Sequence, residues 1–311
     1  SCSKPSPFEG KMRESVQTSL SWRNDTTGIW ETAGWWNSAN VLTATIRYGA
    51  VTKDPAIPSV IEDVFEKARH YQVGVDSTGI PRYCDNFIND YYDDEGWWAL
   101  AWIEASKLTG EKKYLDMAEI IFDDMTTGWS DACGGGIFWK KNPLHYKNSI
   151  ANNLFSLTAI RLYKATQNPA YLDWFKKNVD WYTQTGMINT DIYQIEDGTK
   201  DDCTPNRNAH YTYNQGVAIA VLAEMYLQTN DKSYLELAEK IADATITTRL
   251  VTDEGILREM KPEIDDSNDG VQFKGIFIRH LAFLYEVTKN PAYKDFILKN
   301  AESIITKDYD P

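Results

Sequence analysis

Tyr91-Tyr92-Asp93-Asp94-Glu95-Gly96-Trp97-Trp98 sets three adjacent acids at the mouth of an apolar run. Two carboxylates whose surroundings push their pKa values apart are the minimum equipment for general acid and base work near neutral pH. One of the three can be used up as a helix N-cap, accepting backbone N–H groups at the positive end of the dipole. Two remain in an aromatic setting, where desolvation raises at least one pKa. Cap and catalyst both stay open on spacing alone. A second segment, Trp129-Ser130-Asp131-Ala132-Cys133-Gly134-Gly135-Gly136-Ile137-Phe138-Trp139, brackets three glycines with tryptophan. Phosphate cradles join a strand to a helix and end in Lys-Ser or Lys-Thr, and this segment does neither. Its glycines, Gly135 central among them, either let the backbone approach a ligand between Trp129 and Trp139 or form a plain turn.

Tyr146-Lys147-Asn148-Ser149-Ile150-Ala151-Asn152 and His210-Tyr211-Thr212-Tyr213-Asn214-Gln215-Gly216 each bring amides and hydroxyls to the start of a helical run. Such groups hydrogen-bond sugar hydroxyls while aromatic faces cover sugar C–H surfaces; capping and hairpin bridging are the alternative at each position. His210 stands alone, with no serine or cysteine nucleophile motif, which argues against a hydrolase triad. Phe273-Lys274-Gly275 opens the last such run, and Trp30, Trp35 and Trp36 open the first.

What must position these residues is a repeat. Thr109 to Leu115 is echoed at Thr166 to Leu172, Thr229 to Leu235, Thr288 to Tyr293 and, more weakly, Thr52 to Ile57, at intervals of 57 to 63 residues. Each copy is a polar turn, often with proline at a helix start, between two helical runs. The runs after the turns are amphipathic, as with Leu115, Ala118, Ile121, Phe122 and Met125, and read as outer helices. They fall near 8–24, 57–70, 114–125, 171–184, 234–248 and 293–306. The runs before the turns are evenly apolar and read as inner helices near 33–48, 95–108, 148–165, 211–228 and 271–287. The spacing predicts an all-α toroid of about six helical hairpins, any sheet being a short hairpin inside a loop. Inner-to-outer turns take 5–8 residues. The outer-to-inner links near 71–93, 126–147, 185–210 and 249–270 exceed 20 and gather at one rim with the inner-helix openings, where a cleft is expected.

The chain has 311 residues, 42% hydrophobic and 25% charged, with no apolar run long enough to span a bilayer. Its net charge of −13 repels nucleic acid and anionic membrane. Eleven Trp and 18 Tyr suggest stacking surfaces. Residues 1–7 read as an N-terminal tether and 8–311 as one domain, with Ser1-Cys2 read either as the remnant of a lipoprotein cleavage site or as an incidental terminus. Cys84, Cys133 and Cys203 form no Cys-x-x-Cys pair and none stands beside a histidine, so no metal is expected, nor any cofactor; spacing alone selects no disulfide.

Together the five inner-helix openings resemble glycoside hydrolase family 76, the endo-α-1,6-mannanases and their cell-wall relatives. The resemblance covers most of the chain and rests on Asp93-Asp94-Glu95-Gly96-Trp97-Trp98, supported by Cys133-Gly134-Gly135-Gly136, Tyr146-Lys147-Asn148-Ser149, Tyr211 to Gly216 and Phe273-Lys274-Gly275. It implies an (α/α)6 toroid and a retaining mechanism, with Asp93 as nucleophile, Asp94 as general acid and base, and Glu95 structural. Retention needs carboxylates about 5–5.5 Å apart, and neighbours in a regular helix diverge by about 100°, so the pair must sit at the helix entrance. Asp94 is expected to carry the raised pKa. The substrate implied is α-1,6-mannan or its oligosaccharides, bound by Trp35, Trp36, Tyr92, Trp129, Gly135, Trp139, Lys147, Asn148, Asn152, Tyr211, Tyr213, Asn214, Gln215, Phe273 and Lys274. Cys133 and Cys203, on neighbouring rim loops, are the expected disulfide.

The resemblance leaves a fork between a mannan-degrading hydrolase and a wall transglycosidase acting on mannose-containing anchor glycans. The Ser1-Cys2 start, with no apolar anchor signal after Ile305, tilts the reading to the hydrolase: a monomer that is extracellular, periplasmic or a cell-surface lipoprotein. Other toroid enzymes need basic groups for a uronate or paired histidines for epimerisation, and only four His are present. A non-catalytic mannan-binding protein on the same scaffold is the remaining alternative.

Overall fold

The computed structural model describes residues 7–265 and 267–307; Cys2 and most of the tether lie outside them. The helices are α1 (Pro7–Ser21), α2 (Trp35–Thr52), α3 (Ile57–Ala68), α4 (Tyr92–Thr109), α5 (Lys112–Thr126), α6 (Ser149–Thr166), α7 (Pro169–Tyr182), α8 (Thr212–Thr229), α9 (Lys232–Ala244), α10 (Pro262–Asp265), α11 (Asn268–Thr288) and α12 (Pro291–Lys307). Two antiparallel hairpins, β1 (His70–Val75) with β2 (Pro81–Asp85) and β3 (Ile188–Asn189) with β4 (Gln194–Ile195), lie inside the long links. The chain forms two compact units, one of residues 1–89 and 97–121 and one of 90–96 and 122–311.

The sequence repeat is one turn used five times. Thr52, Thr109, Thr166, Thr229 and Thr288 each end a helix, donating their hydroxyl to the carbonyl four residues back. The same hydroxyl accepts the N–H two residues ahead. Between them Lys53, Gly110, Gln167, Asn230 and Lys289 adopt the left-handed conformation that closes a helix. Asn168, Asp231 and Asn290 then cap the next helix through their side-chain oxygens. Pro169 and Pro291 take a first helical position, where a missing N–H costs nothing. The connection is thus two residues after α4, α6, α8 and α11, tighter than the 5–8 expected, because the helices run on through the threonine.

The inner and outer readings hold where burial separates them. In the second unit α6 is buried without a break from Ser149 to Leu162 and α8 from Asn214 to Met225, whereas α9 buries only Ala238, Ile241 and Ala242. There α8 packs against α6, α9 and α11. In the first unit the core is aromatic: Trp102 lies 5.2 Å from Phe65, 4.9 Å from Phe87 and 5.5 Å from Tyr114. Trp30, Trp97, Trp98 and Trp102 are all buried. Much of the tryptophan excess therefore fills the core, and does not form stacking surface.

Candidate active site

Helix α4 begins at Tyr92, which puts Asp93, Asp94 and Glu95 in its first turn. Asp93 Oδ1 accepts the Asp94 N–H at 3.0 Å, and Asp93 Oδ2 accepts the Trp139 indole N–H at 3.2 Å. Burial, reinforced by the charge of Asp94, pushes the Asp93 carboxyl well above the usual carboxylate range, against those two donors. An upward push was expected on Asp94; Asp93 carries one, and two acids this close share their protons as a pair.

Glu95 is fully buried and its Oε1 accepts the Lys141 ammonium at 2.5 Å. The same ammonium reaches Asp124 Oδ2 at 2.6 Å. Burial, then a hydrogen bond with Asp124, raises the Glu95 carboxyl well above its ordinary value. Glu95 is therefore committed to a clamp between α4 and residue 141. Next to that clamp, Tyr92 N–H donates to the Trp139 carbonyl at 2.9 Å, Lys141 N–H to the Asp90 carbonyl at 2.9 Å, and Trp139 N–H to the Tyr146 carbonyl at 2.7 Å. The Trp139 ring lies 5.1 Å from Tyr91 and 6.0 Å from Tyr146.

A further acid, Asp197, joins this group. Its Oδ2 accepts the Tyr146 hydroxyl at 2.6 Å, its Oδ1 accepts Asn214 Nδ2 at 3.0 Å, and Asn206 Nδ2 donates to the Tyr146 oxygen at 3.0 Å. Tyr213 is raised well above the usual phenol value first by burial, then by the charges of Asp197 and Asp93, so it lies within electrostatic reach of both acids. Its ring stacks on Phe273 at 4.0 Å, and Tyr211 stands edge-on to both. Asp93, Trp139, Tyr146, Asp197 and Asn214 form one chain of contacts, and Tyr213, stacked on Phe273, lies within electrostatic reach of its two acids. Sequence reasoning missed Asp197; adjacent acids before a glycine, Glu196-Asp197-Gly198, in a long link were the available signal.

Other expected binding residues make contacts within the protein. Lys147 is buried, and its ammonium donates to the carbonyls of Ser130 at 2.9 Å, Ala132 at 2.6 Å and Gly135 at 2.6 Å. Burial lowers it to about 8, so at neutral pH it remains the ammonium that three acceptors require. Asn148 caps α6. Asn152 exchanges both hydrogen bonds with the Ile137 backbone, and Gln215 does the same with Ile195. Tyr92 is buried with its hydroxyl on Thr127, and Trp129 packs on Trp174 under Lys177. Lys274 pairs with Asp265 at 2.7 Å. Trp35 and Trp36 belong to the first unit, where they pack on Trp98 and Trp97.

Gly134, Gly135 and Gly136 all have positive φ, and a Cβ on Gly136 would overlap the Trp181 ring, whose indole N–H donates to the Cys133 carbonyl at 2.9 Å. The glycines therefore wrap the loop around Trp181. A disulfide joins Cys133 to Cys203. His210 donates to or accepts from the buried Glu196 at 3.0 Å, a structural pairing. Among the described residues no three His, Cys, Asp or Glu side chains gather as a metal-binding group, and no helix is long and apolar enough to cross a membrane.

The arrangement is the kind that handles neutral polyols: a coupled acid pair, a further carboxylate, amides and flat aromatic faces. Residues 9–309 match the model of glycosyl hydrolase family 76. A mannan endo-1,6-alpha-mannosidase of Saccharomyces cerevisiae, DCW1, is 28% identical over 227 residues, 68% of this chain and 49% of its own length. The chain spans about half the length of the curated relatives it matches, 58%, 47% and 49% of the first three. The alpha-1,6-mannanase of Salegentibacter sp. HEL1_6 superposes with a TM-score of 0.83 at 25% identity, covering 96% of this chain and 88% of that one. An inactive variant of the same enzyme, with two consecutive aspartates replaced by alanine and alpha-1,6-mannotetrose bound, superposes at 0.84 with 23% identity and the same coverage. The shared fold is the (α/α)6 toroid of helical hairpins.

Proposed function

The chain belongs to glycosyl hydrolase family 76, and on that premise we propose that it is a retaining endo-α-1,6-mannanase in which Asp93 is the nucleophile and Asp94 the general acid and base. The observation that carries the reading is the Asp93 carboxyl, desolvated beside Asp94 and aimed by the Trp139 indole and the Asp94 N–H. Asp93 and Asp94 share protons as a pair, and the reactive form is the one with Asp94 protonated and Asp93 ionised; held by two fixed donors, the Asp93 carboxylate keeps its direction of attack. Asp93 Oδ attacks the anomeric carbon while Asp94 passes its proton to the departing O6, giving a glycosyl ester and a shortened chain. Asp94, now ionised, takes a proton from water as that water attacks the same carbon, and Asp93 leaves as carboxylate. The loss of two consecutive aspartates in the inactive Salegentibacter variant supports the pair by analogy of type and adjacency.

The mannan chain would meet Trp139 and the Tyr211, Tyr213 and Phe273 cluster through its C–H faces, with Asp197, Asn214 and the Tyr146 hydroxyl taking sugar hydroxyls. The protein acts as a monomer of one catalytic domain. The Cys133–Cys203 disulfide supports an extracytoplasmic location, since such bonds persist in oxidising compartments.

The test is product analysis on linear α-1,6-mannan with the anomeric proton followed by NMR. Wild type should release oligosaccharides that appear first in the α configuration, and Asp93→Asn and Asp94→Asn should each lose at least about a hundredfold in kcat/KM. On a substrate with a nitrophenol leaving group Asp94→Asn should recover part of its rate and Asp93→Asn should not, since only the acid becomes dispensable. First products in the β configuration would overturn retention. Mannan bound without turnover would favour a binding protein, and products appearing only with a glycan acceptor would favour a transglycosidase.

A further inference from the structure

Trp139 aims at Asp93 from a loop, and what holds that loop is a charge cluster the proposed reaction does not use. The Lys141 ammonium sits between Glu95 Oε1 at 2.5 Å and Asp124 Oδ2 at 2.6 Å, over the Tyr92 ring at 5.3 Å. Glu95 is one turn into α4, two residues beyond Asp93, and Asp124 lies in the last turn of α5. The cluster thus ties residue 141 to the helix that carries the acid pair. Two main-chain bonds complete the tie, Tyr92 N–H to the Trp139 carbonyl and Lys141 N–H to the Asp90 carbonyl, both 2.9 Å. Neither reaches the indole itself. Trp139 is only two residues from Lys141, and Lys140 between them is bridged to Tyr91, so a shift at the ammonium is carried to the indole with little slack.

We propose that Lys141 is a positioning residue whose ammonium, clamped by Glu95 and Asp124, fixes segment 139–141 on the entrance of α4 and so keeps the Trp139 indole N–H on Asp93. The energetic logic is that removing the Lys141 ammonium takes away the group that joins residue 141 to Glu95 and Asp124, and the buried Glu95 carboxyl is left to its hydrogen bond with Asp124. Residue 141 is then no longer tied by its side chain to the α4 entrance. A donor displaced by about 1 Å from a nucleophilic carboxylate costs up to a hundredfold in rate.

The test uses the full chain with 15N-labelled tryptophan. The Trp139 indole resonance is assigned by its disappearance in Trp139→Phe, and its shift is followed against pH as a reporter of Asp93. Lys141→Met, which keeps the apolar stem over Tyr92, should move this resonance upfield and flatten its titration, and Lys141→Arg should restore both. On mannan, Lys141→Met should lower kcat about tenfold or more with KM little changed, as expected for lost aim with retained binding. An indole signal in Lys141→Met that titrates as in wild type, or a loss confined to KM, would overturn the proposal. If Lys141→Met does not fold, Asp124→Asn, which removes one jaw and leaves the Lys141 to Glu95 bond, decides: the indole signal should shift in the same direction by a smaller amount, and an unchanged signal overturns the proposal. The activity arm rests on Asp93 being the nucleophile. The indole arm does not, so a protein inactive on mannan with a Lys141-dependent Trp139 signal would refute the function and keep the positioning role.

Discussion

At the scale of single residues, burial and hydrogen bonding compete at several acids, and the balance differs at each. Asp93 and Glu95 are driven upward, Asp93 with two donors opposing and Glu95 with a cation opposing. Glu259 shows the same competition where it can be read as stability. It is buried, accepts the Thr212 N–H at 3.1 Å and the Thr212 hydroxyl, and so caps α8 just before Tyr213 and Asn214. Burial raises its carboxyl from 4.5 to about 7, with the Thr212 donors and Lys274 pulling down and Asp265 pushing up. A folded pKa above the unfolded one means that the fold prefers the protonated form. That contribution is complete below 4.5 and disappears as pH rises through about 7. Glu259→Gln keeps an acceptor for Thr212 without the charge, so its Tm should match wild type near pH 4.5 and exceed it at pH 8, by up to about 3 kcal/mol in stability. Calorimetry at both pH values checks this, and a difference independent of pH would refute it.

At the scale of elements, long links become ordered through side chains that substitute for a strand partner. Asn152 on α6 and Gln215 on α8 each hold both backbone groups of one loop residue, Ile137 and Ile195, and Asn300 on α12 accepts the Leu257 N–H at 2.9 Å. Asn152 and Gln215 sit where sugar-binding amides were expected, and both hydrogen-bond the backbone. Gly198 shows how tightly one link is fitted: a Cβ there would lie 2.5 Å from Tyr146 Cζ. Gly198→Ala should therefore push the Tyr146 ring off Asp197 and raise KM for mannan severalfold, with the Cys133–Cys203 loop and overall Tm less affected than the site. Steady-state kinetics beside a melting curve test it. An unchanged KM would mean that the Tyr146 and Asp197 contact does not serve binding.

At the scale of the whole molecule, a net charge of −13 surrounds a site proposed for an uncharged polymer. Steering by the protein's field acts on charged ligands and is screened by salt, so KM on mannan should change less than about twofold between 20 and 500 mM sodium chloride. A steep salt dependence would point to a charged substrate. The hairpin repeat was legible because one turn, built from Thr, a left-handed residue and an Asn or Asp cap, recurs at every copy, and local hydrogen bonds alone dictate it. The acid triplet was legible for a similar reason: helix starts announce themselves, and three acids exceed what one cap needs. The role of Lys147, Asn152, Gln215 and Tyr92 was not legible, because a polar side chain near a rim looks the same whether it meets sugar or backbone, and only long-range packing decides which. Asp197 escaped for the converse reason, lying in a link whose 3-D neighbours Tyr146 and Asn214 are 51 and 17 residues away. The sequence by itself thus determined the hairpins, their order and the acid pair, all set by contacts within a few residues. Only the tertiary structure decided which groups face that pair, since burial and electrostatics are sums over neighbours that chain order does not reveal.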